Sequence, residues 1–180
     1  MIRRDLLKLA GGLTVSAAWT HPLVAAVTGC APAVVVYDGR YSDARLFAAT
    51  ARRRGAVALP SDRDVAGLWY GRLERGRAAG AVAGLTTYAD MMLMEGLARE
   101  AGRRMTIRIA HGARGVSILH DVERGTPDMA RVLADAERRW PLALWSVFAG
   151  RADPVRAAVS SEPAGRAADH PGLLLSWVVA

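Results

Sequence analysis

Three observations predict an α/β fold, a single three-layer domain with a mainly parallel sheet. Short apolar, β-branched runs alternate with longer stretches that carry helix-capping residues at their starts. The first of these runs, Val34-Val35-Val36-Tyr37, is apolar at every position, as a parallel strand buried between helix layers must be. The composition is that of a folded chain, with 52% hydrophobic and 23% charged residues. At 180 residues the chain is long enough for one domain with a sizeable core.

The elements follow in order. The first strand ends at Asp38-Gly39, a turn signal. Ser42 or Asp43 is placed to cap a helix that runs to Arg54 and stops at Gly55. Residues 56–59 form the second strand, closed by Pro60. Ser61 or Asp62 is expected to cap a second helix, through Leu68, Trp69 and Leu73 to about Arg75. Residues 81–85 form the third strand, and Thr86 or Thr87 caps a helix from Tyr88 to Glu100, ended by Gly102. Residues 105–109 alternate with period two, as a half-buried strand does. These repeated units imply right-handed βαβ crossovers.

The second half reads less regularly. Residues 111–115 are expected to turn a hairpin into a strand over 116–119, which puts an antiparallel edge in this half. Thr126-Pro127-Asp128 opens a helix to about Trp140, with Pro at its first position. Residues 142–148 are expected to be a strand. Residues 150–171 are Ala/Gly/Pro-rich and are expected to form an irregular flap. Residues 173–179 form the last strand. No internal repeat or domain boundary interrupts residues 30–180.

Before this domain, Met1-Ile2-Arg3-Arg4-Asp5-Leu6-Leu7-Lys8 precedes a weakly hydrophobic, Gly/Ala-rich stretch. It resembles a twin-arginine (Tat) export signal, with Arg3, Arg4, Leu6, Leu7 and Lys8 in the places of that pattern. Ile2 stands where Ser or Thr often precedes the pair, and Leu6 where Phe is common. The resemblance covers about the first 30 residues and implies a Tat translocase as partner during export. It implies a protein that crosses the membrane already folded and works on its outer side. Val27-Thr28-Gly29-Cys30 resembles a lipobox, which implies a lipid on Cys30 and a membrane-anchored domain. Two ordinary cleavage patterns compete, Val24-Ala25-Ala26 and Ala31-Pro32-Ala33, and they imply a soluble periplasmic protein.

With one cysteine in the chain, an internal disulfide framework and a Cys-rich metal site are excluded. Residues 1–29 carry three basic residues and one acid, so residues 30–180 hold 21 Arg against 16 Asp and Glu, a net of +5. That surplus favours anionic ligands or an anionic membrane surface. No aromatic-interleaved basic stripe points to nucleic acid.

Ligands of open parallel sheets bind beyond the carboxyl ends of the strands. That edge gathers Asp38, Arg40, Tyr41 and Ser42 after the first strand, and Ser61, Asp62 and Arg63 after the second. Thr86, Thr87 and Tyr88 follow the third. His111 joins them as a candidate acid/base if the fourth strand runs the same way. Helix N-termini and two arginines favour a carboxylate- or phosphate-bearing molecule. The plain reading makes the serines and threonines N-caps and Asp38-Gly39 a turn. No Gly-x-Gly-x-x-Gly, phosphate loop or nucleophile elbow is present, and no cofactor or metal is implied.

His111 and His120, set at opposite ends of one strand by a turn over 112–114, are expected about 25–30 Å apart and unable to share a site. Met91, Met94 and Leu97 fall on one helix face and are expected in the core. Trp69-Tyr70 is a candidate partner surface. Three functions emerge: a non-catalytic accessory protein that binds a small anion or a partner, an enzyme acting on an anionic small molecule, and a subunit co-exported with an oxidoreductase. Whether the protein is an enzyme stays open at this point.

Overall fold

The computed structural model describes residues 31–74, 80–114, 117–150 and 173–180. Arg3, Arg4, Cys30 and the segment 150–171, Gly150 apart, lie outside them. Among the described residues the fold is mixed α/β, with one six-stranded sheet and five α-helices. The strands are β1 (Val34–Tyr37), β2 (Val57–Pro60), β3 (Val82–Thr87), β4 (Met105–Arg114), β5 (Ser117–Arg124) and β6 (Leu174–Val179). The helices are α1 (Ser42–Arg53), α2 (Val65–Leu68), α3 (Tyr88–Glu100), α4 (Pro127–Asp135) and α5 (Trp140–Phe148).

The strand order is β2-β1-β3-β6-β4-β5. β1 pairs in parallel with β2 and β3, whereas β3–β6, β6–β4 and β4–β5 are antiparallel. A mainly parallel sheet is therefore corrected to a mostly antiparallel one. The cause is β6, which enters between β3 and β4 instead of lying at an edge. Because β6 is antiparallel to both, β3 and β4 still point the same way. The carboxyl ends of β1 to β4 thus share one edge.

Strand alternation divides the core in two. Val35, Ala83, Leu85, Ile107, Ile109, Leu174 and Val178 pack with Phe47 of α1, Leu133 of α4 and Trp140, Leu144 and Phe148 of α5. Val36, Val82, Met105, Leu175, Trp177 and Val179 pack with Val65 of α2, Trp69, Leu73 and Met91, Met94 and Ala98 of α3. Met91 and Met94 are fully buried and Leu97 lies against them, as their spacing predicts. Trp69 is buried while Tyr70 is exposed, so the pair is not a joint surface.

Gly84 faces Trp177 across the β3–β6 ladder. A Cβ on Gly84 would stand 2.2 Å from Trp177 Cζ2 and 2.3 Å from Cε2, so only glycine lets that ring lie on the strand. The indole Nε1 donates to Thr86 Oγ1 at 3.0 Å, which satisfies both buried groups.

Several local expectations are corrected. α1 starts after Tyr41, and neither Ser42 nor Asp43 is its N-cap. α2 is capped by Asp64, whose Oδ1 accepts from Gly67 N at 2.8 Å, and not by Ser61 or Asp62. After one α-helical turn the chain widens into a π-helical turn over Trp69–Leu73. Pro60 is the last residue of β2, an edge strand, where its missing N–H costs nothing. Gly55 and Gly102 end α1 and α3 in the left-handed conformation, at φ 91° and 75°.

The helix opened by Pro127 stops at Asp135, and a 3-10 turn over Glu137–Arg139 leads into α5. Residues 142–148 are helical, not a strand. The run Trp140-Pro141-Leu142-Ala143-Leu144 has no polar face because α5 is wedged among α1, α4 and the sheet, and Pro141 sits in its first turn. Period alone does not separate such a buried helix from a buried strand.

The hairpin is the largest correction. β4 continues through His111 to Arg114, and the reversal falls between Arg114 and Ser117. Arg114 pairs with Ser117, which puts His111 directly opposite His120. They are neighbours, not residues a strand-length apart.

Candidate functional site

The shared carboxyl edge brings the loops after β1, β2 and β3 together. β1 has β2 on one side and β3 on the other, so the crossovers diverge here, with α1 on one face of the sheet and α3 on the other. Asp38 closes β1, and its backbone N–H donates to Leu85 O of β3 at 3.2 Å. Its side chain is 4% exposed and faces Arg40, which is 43% exposed. Oδ1 accepts from the backbone N–H of Arg40 at 3.1 Å and from its Nε at 2.9 Å. Oδ2 accepts from Nε at 3.1 Å and pairs with Nη2. The Arg40 guanidinium also lies 5.2 Å from the ring centre of Tyr41.

From β2, the Ser61 backbone N–H donates to Tyr37 O at 2.9 Å, and its buried hydroxyl donates to Asp90 Oδ2 at 3.0 Å. Asp62 and Arg63 follow in left-handed conformations, at φ 46° and 63°, and are exposed. From β3, Thr87 caps α3 by accepting from Asp90 N at 3.5 Å, and exposed Tyr88 begins the helix.

Electrostatics set the two carboxyls apart. Burial alone would raise the Asp38 carboxyl, but the hydrogen bonds from Arg40 and the charges of Arg40 and Arg63 outweigh it. Asp38 ends below its ordinary value. At Asp90 burial dominates; the Ser61 hydrogen bond opposes it, the nearby Asp38 charge adds to it, and the carboxyl ends above its ordinary value. Arg40 is held protonated, chiefly by its hydrogen bond to Asp38. The edge therefore holds a fixed carboxylate, a carboxyl that retains its proton longer, and two guanidinium groups.

These shifts fix a pH dependence. Asp38, depressed in the fold, contributes stability that is present above its unfolded value of about 3.9 and is lost as pH falls through its lower folded value. Asp90, raised in the fold, is unfavourable once charged, so its contribution is lost as pH rises through its folded value. Asp90→Asn keeps an acceptor for Ser61 and removes that charge. The expected result is equal or higher stability at pH 7, by up to about 1 kcal/mol. The gain disappears at acid pH, as read by urea unfolding at both pH values.

The placement of the other predicted residues differs. Asp38, Arg40, Tyr41, Ser42, Ser61, Asp62, Arg63, Thr87 and Tyr88 all lie at this edge. Thr86 is at the same end of β3 but is turned into the core against Trp177. His111 stands level with Thr87 in the sheet, but its ring is turned into the core, stacked on Trp140 at 4.2 Å between centroids. Its Nε2 is 2.8 Å from Ser176 Oγ, and its Nδ1 is 2.7 Å from His120 Nδ1. Serine, histidine and a second histidine are thus joined in line, an order that suits nucleophilic catalysis. Ser176, however, is fully buried in a central strand, out of reach of any substrate.

Asp90 and Ser176 are the residues that sequence reasoning missed. Thr87-x-x-Asp90 has capping-box spacing, which marks Asp90. For the His pair, the register that sets Arg114 opposite Ser117 also sets His111 opposite His120. Nothing local marks Ser176, whose place depends on β6 entering mid-sheet. Among the described residues no group of three or more His, Cys, Asp or Glu is placed to hold a metal ion. Among them, too, no helix is long and apolar enough to cross a membrane. Fold and edge together define an α/β protein with charged groups gathered at the carboxyl ends of its first three strands. No family model, curated protein or solved structure matches the chain.

Proposed function

We propose that the protein is an exported, three-layer α/β accessory protein that binds a small carboxylate- or phosphate-bearing molecule at the carboxyl edge. The observation that carries this reading is that Arg40 and Arg63 both act on Asp38 at the edge where α1 and α3 begin. Arg40 is braced by Asp38, so its guanidinium is held in one place at little entropic loss. Arg63 is exposed and its charge reaches Asp38, so a bound anion at the mouth would contact both cations. Tyr41, Ser42, Ser61, Asp62, Thr87 and Tyr88 supply the hydroxyls, ring edges and backbone around that position, while Thr86 is turned away into the core.

Arg63→Ala is the cleaner test, because both residues bear the same left-handed conformation and no buried partner is orphaned. Arg40→Ala would strand the Asp38 carboxylate. Titration calorimetry with dicarboxylates and phosphate monoesters is expected to find a saturable anion. Its affinity falls with salt and drops about tenfold or more in Arg63→Ala, the loss of one charge-assisted hydrogen bond. Unchanged affinity in that variant, or no saturable anion, rejects the site.

A second reading, an enzyme acting on such an anion, is favoured by Asp38 and Asp90 being displaced in opposite directions. Environments that push two carboxyls apart suit acid and base roles. Turnover abolished by Asp90→Asn with binding retained would select it. Export rests on the Tat-like residues Arg3 and Arg4, and anchoring on Cys30. Mass spectrometry of the native N-terminus separates lipidated Cys30 from the two cleavage alternatives. A stable heteromer in native purification would select the oxidoreductase-subunit reading.

A further inference from the structure

The two edges of the sheet carry opposite charge balances. At the carboxyl edge, Asp38, Asp43, Asp62, Asp64 and Asp90 outnumber Arg40, Arg45 and Arg63. The amino edge is fixed by the register, which sets Val34 level with Val57 and Val82, and Val179 level with Val82 and Met105. α1 ends there with Arg53 and Arg54, both exposed. α3 ends there with exposed Arg99, and Arg103 and Arg104 lead from it into β4. β5 runs the opposite way and ends there with exposed Arg124.

Few side-chain acids offset these six arginines. Glu74 follows Arg72 at the end of the π-helical turn and balances it. Asp128, at the start of α4, is paired with Arg131. Glu95 and Glu123 share Arg108. Glu100, in the last turn of α3, is the acid that remains. Among the described residues none of the six arginines is held in an ion pair. The helix dipole favours cations at helix C-termini, which accounts for Arg53 and Arg99. It does not account for Arg104 and Arg124, which stand at strand ends. Backbone carbonyls hold two of the guanidinium groups at the edge. Arg103 Nη2 donates to Gly80 O at 2.7 Å and Val179 O at 3.2 Å, and Arg124 Nη1 donates to Met105 O at 2.6 Å. Each still has other N–H groups to offer.

The arginines span the sheet from β2 to β5, a front about 24 Å wide at the usual strand spacing. Such a front fits a broad charged surface better than a small ligand. The chain also enters the domain here. The Ala33 N–H donates to Ala81 O at 3.2 Å, and Ala33 O accepts from Val57 N at 3.0 Å. Cys30 is three residues earlier in the sequence, so at most about 11 Å of chain separates it from Ala33. A lipid on Cys30, as the lipobox resemblance implies, would enter a bilayer beside the arginines. We propose that the amino edge of the sheet is a docking face for an anionic phospholipid surface, which turns the carboxyl edge outward to solution. The planar guanidinium pairs with lipid phosphate through two N–H groups at once. The attraction requires neither the lipid on Cys30 nor the anion site at the carboxyl edge, and stands or falls apart from both.

The test is co-sedimentation of the full chain with vesicles of phosphatidylcholine, with and without phosphatidylglycerol. The chain carries Cys30→Ser, so that no lipid is attached. Binding is expected with phosphatidylglycerol and is expected to weaken as salt rises. An arginine near an anionic surface contributes about fivefold in affinity, so Arg99→Gln with Arg104→Gln is expected to lower binding about 25-fold. Arg138→Gln with Arg139→Gln removes the same charge next to Trp140, which stacks on His111 near the carboxyl edge. That pair is expected to lower binding less than about threefold, because distant charges are screened. All four residues are exposed, so neither double variant threatens the fold. Equal losses in the two variants, or none in either, would overturn the proposal. So would salt-insensitive binding to phosphatidylcholine alone, which belongs to the apolar stretch of residues 9–18. Binding to polyglutamate but not to the vesicles would overturn it in favour of an acidic protein partner.

Discussion

Gly84→Ala is expected to destabilise the protein by roughly 3 kcal/mol or more, near the upper end of what overpacking costs. The added methyl would sit 2.2 Å from the Trp177 ring, far inside van der Waals contact. Trp177 is fully buried and tied to Thr86 through its indole N–H, so it has nowhere to swing. Relief requires β3 and β6 to part, at the seam that joins the two halves of the sheet. A second variant checks the cause. In Trp177→Phe the smaller ring leaves room, so adding Gly84→Ala there should cost much less than it does alone. That non-additivity, of about 1–3 kcal/mol, is what a double-mutant cycle in urea reads. A Gly84→Ala protein within about 0.5 kcal/mol of the parent would show that the ring is not pinned.

Trp140→Ala is expected to cost about 3–5 kcal/mol, the range for deleting a large buried aromatic. Trp140 is fully buried at the start of α5, where α4, α5 and the sheet meet. Its removal leaves a cavity over two imidazoles, and a cavity lined by polar nitrogens fills with water. The variant should therefore lose stability and also expose the histidine ring protons to solvent exchange. Trp140→Phe should recover a large part of the stability. A loss below about 1 kcal/mol for Trp140→Ala would mean that the helices do not depend on this ring.

The parts of the fold that sequence reasoning anticipated have local causes. The run Val34-Val35-Val36-Tyr37, the α3 cap at Thr87 and the Met91/Met94 stripe are each decided by residues within one or two turns of chain. The failures are non-local. Residues 142–148 satisfy a strand or a buried helix equally well until α1, α4 and the sheet surround them. At 111–120 Gly112 has the composition of a turn, but Ile107, Ile109 and His111 face inward on β4 as Ile118, His120 and Val122 do on β5, and only the pairing of the two strands shows it. At the carboxyl edge, Asp38, Arg40, Ser61 and Thr87 were legible from the βαβ pattern. Asp90 was hidden because its significance comes from Ser61, 29 residues away.

The place of β6 also dictates an order of assembly. Thr86 and Trp177 are 91 residues apart, and β6 is hydrogen-bonded on both sides. While the chain is being synthesised, β1, β2 and β3 can meet, and β4 can meet β5. The two pieces have no ladder between them until residues 174–179 emerge. Each then presents an open, apolar strand edge to whatever is nearby. Such late, long-range closure slows folding and favours a chaperone at that edge. A chain that is exported only when folded would have to wait for that last strand.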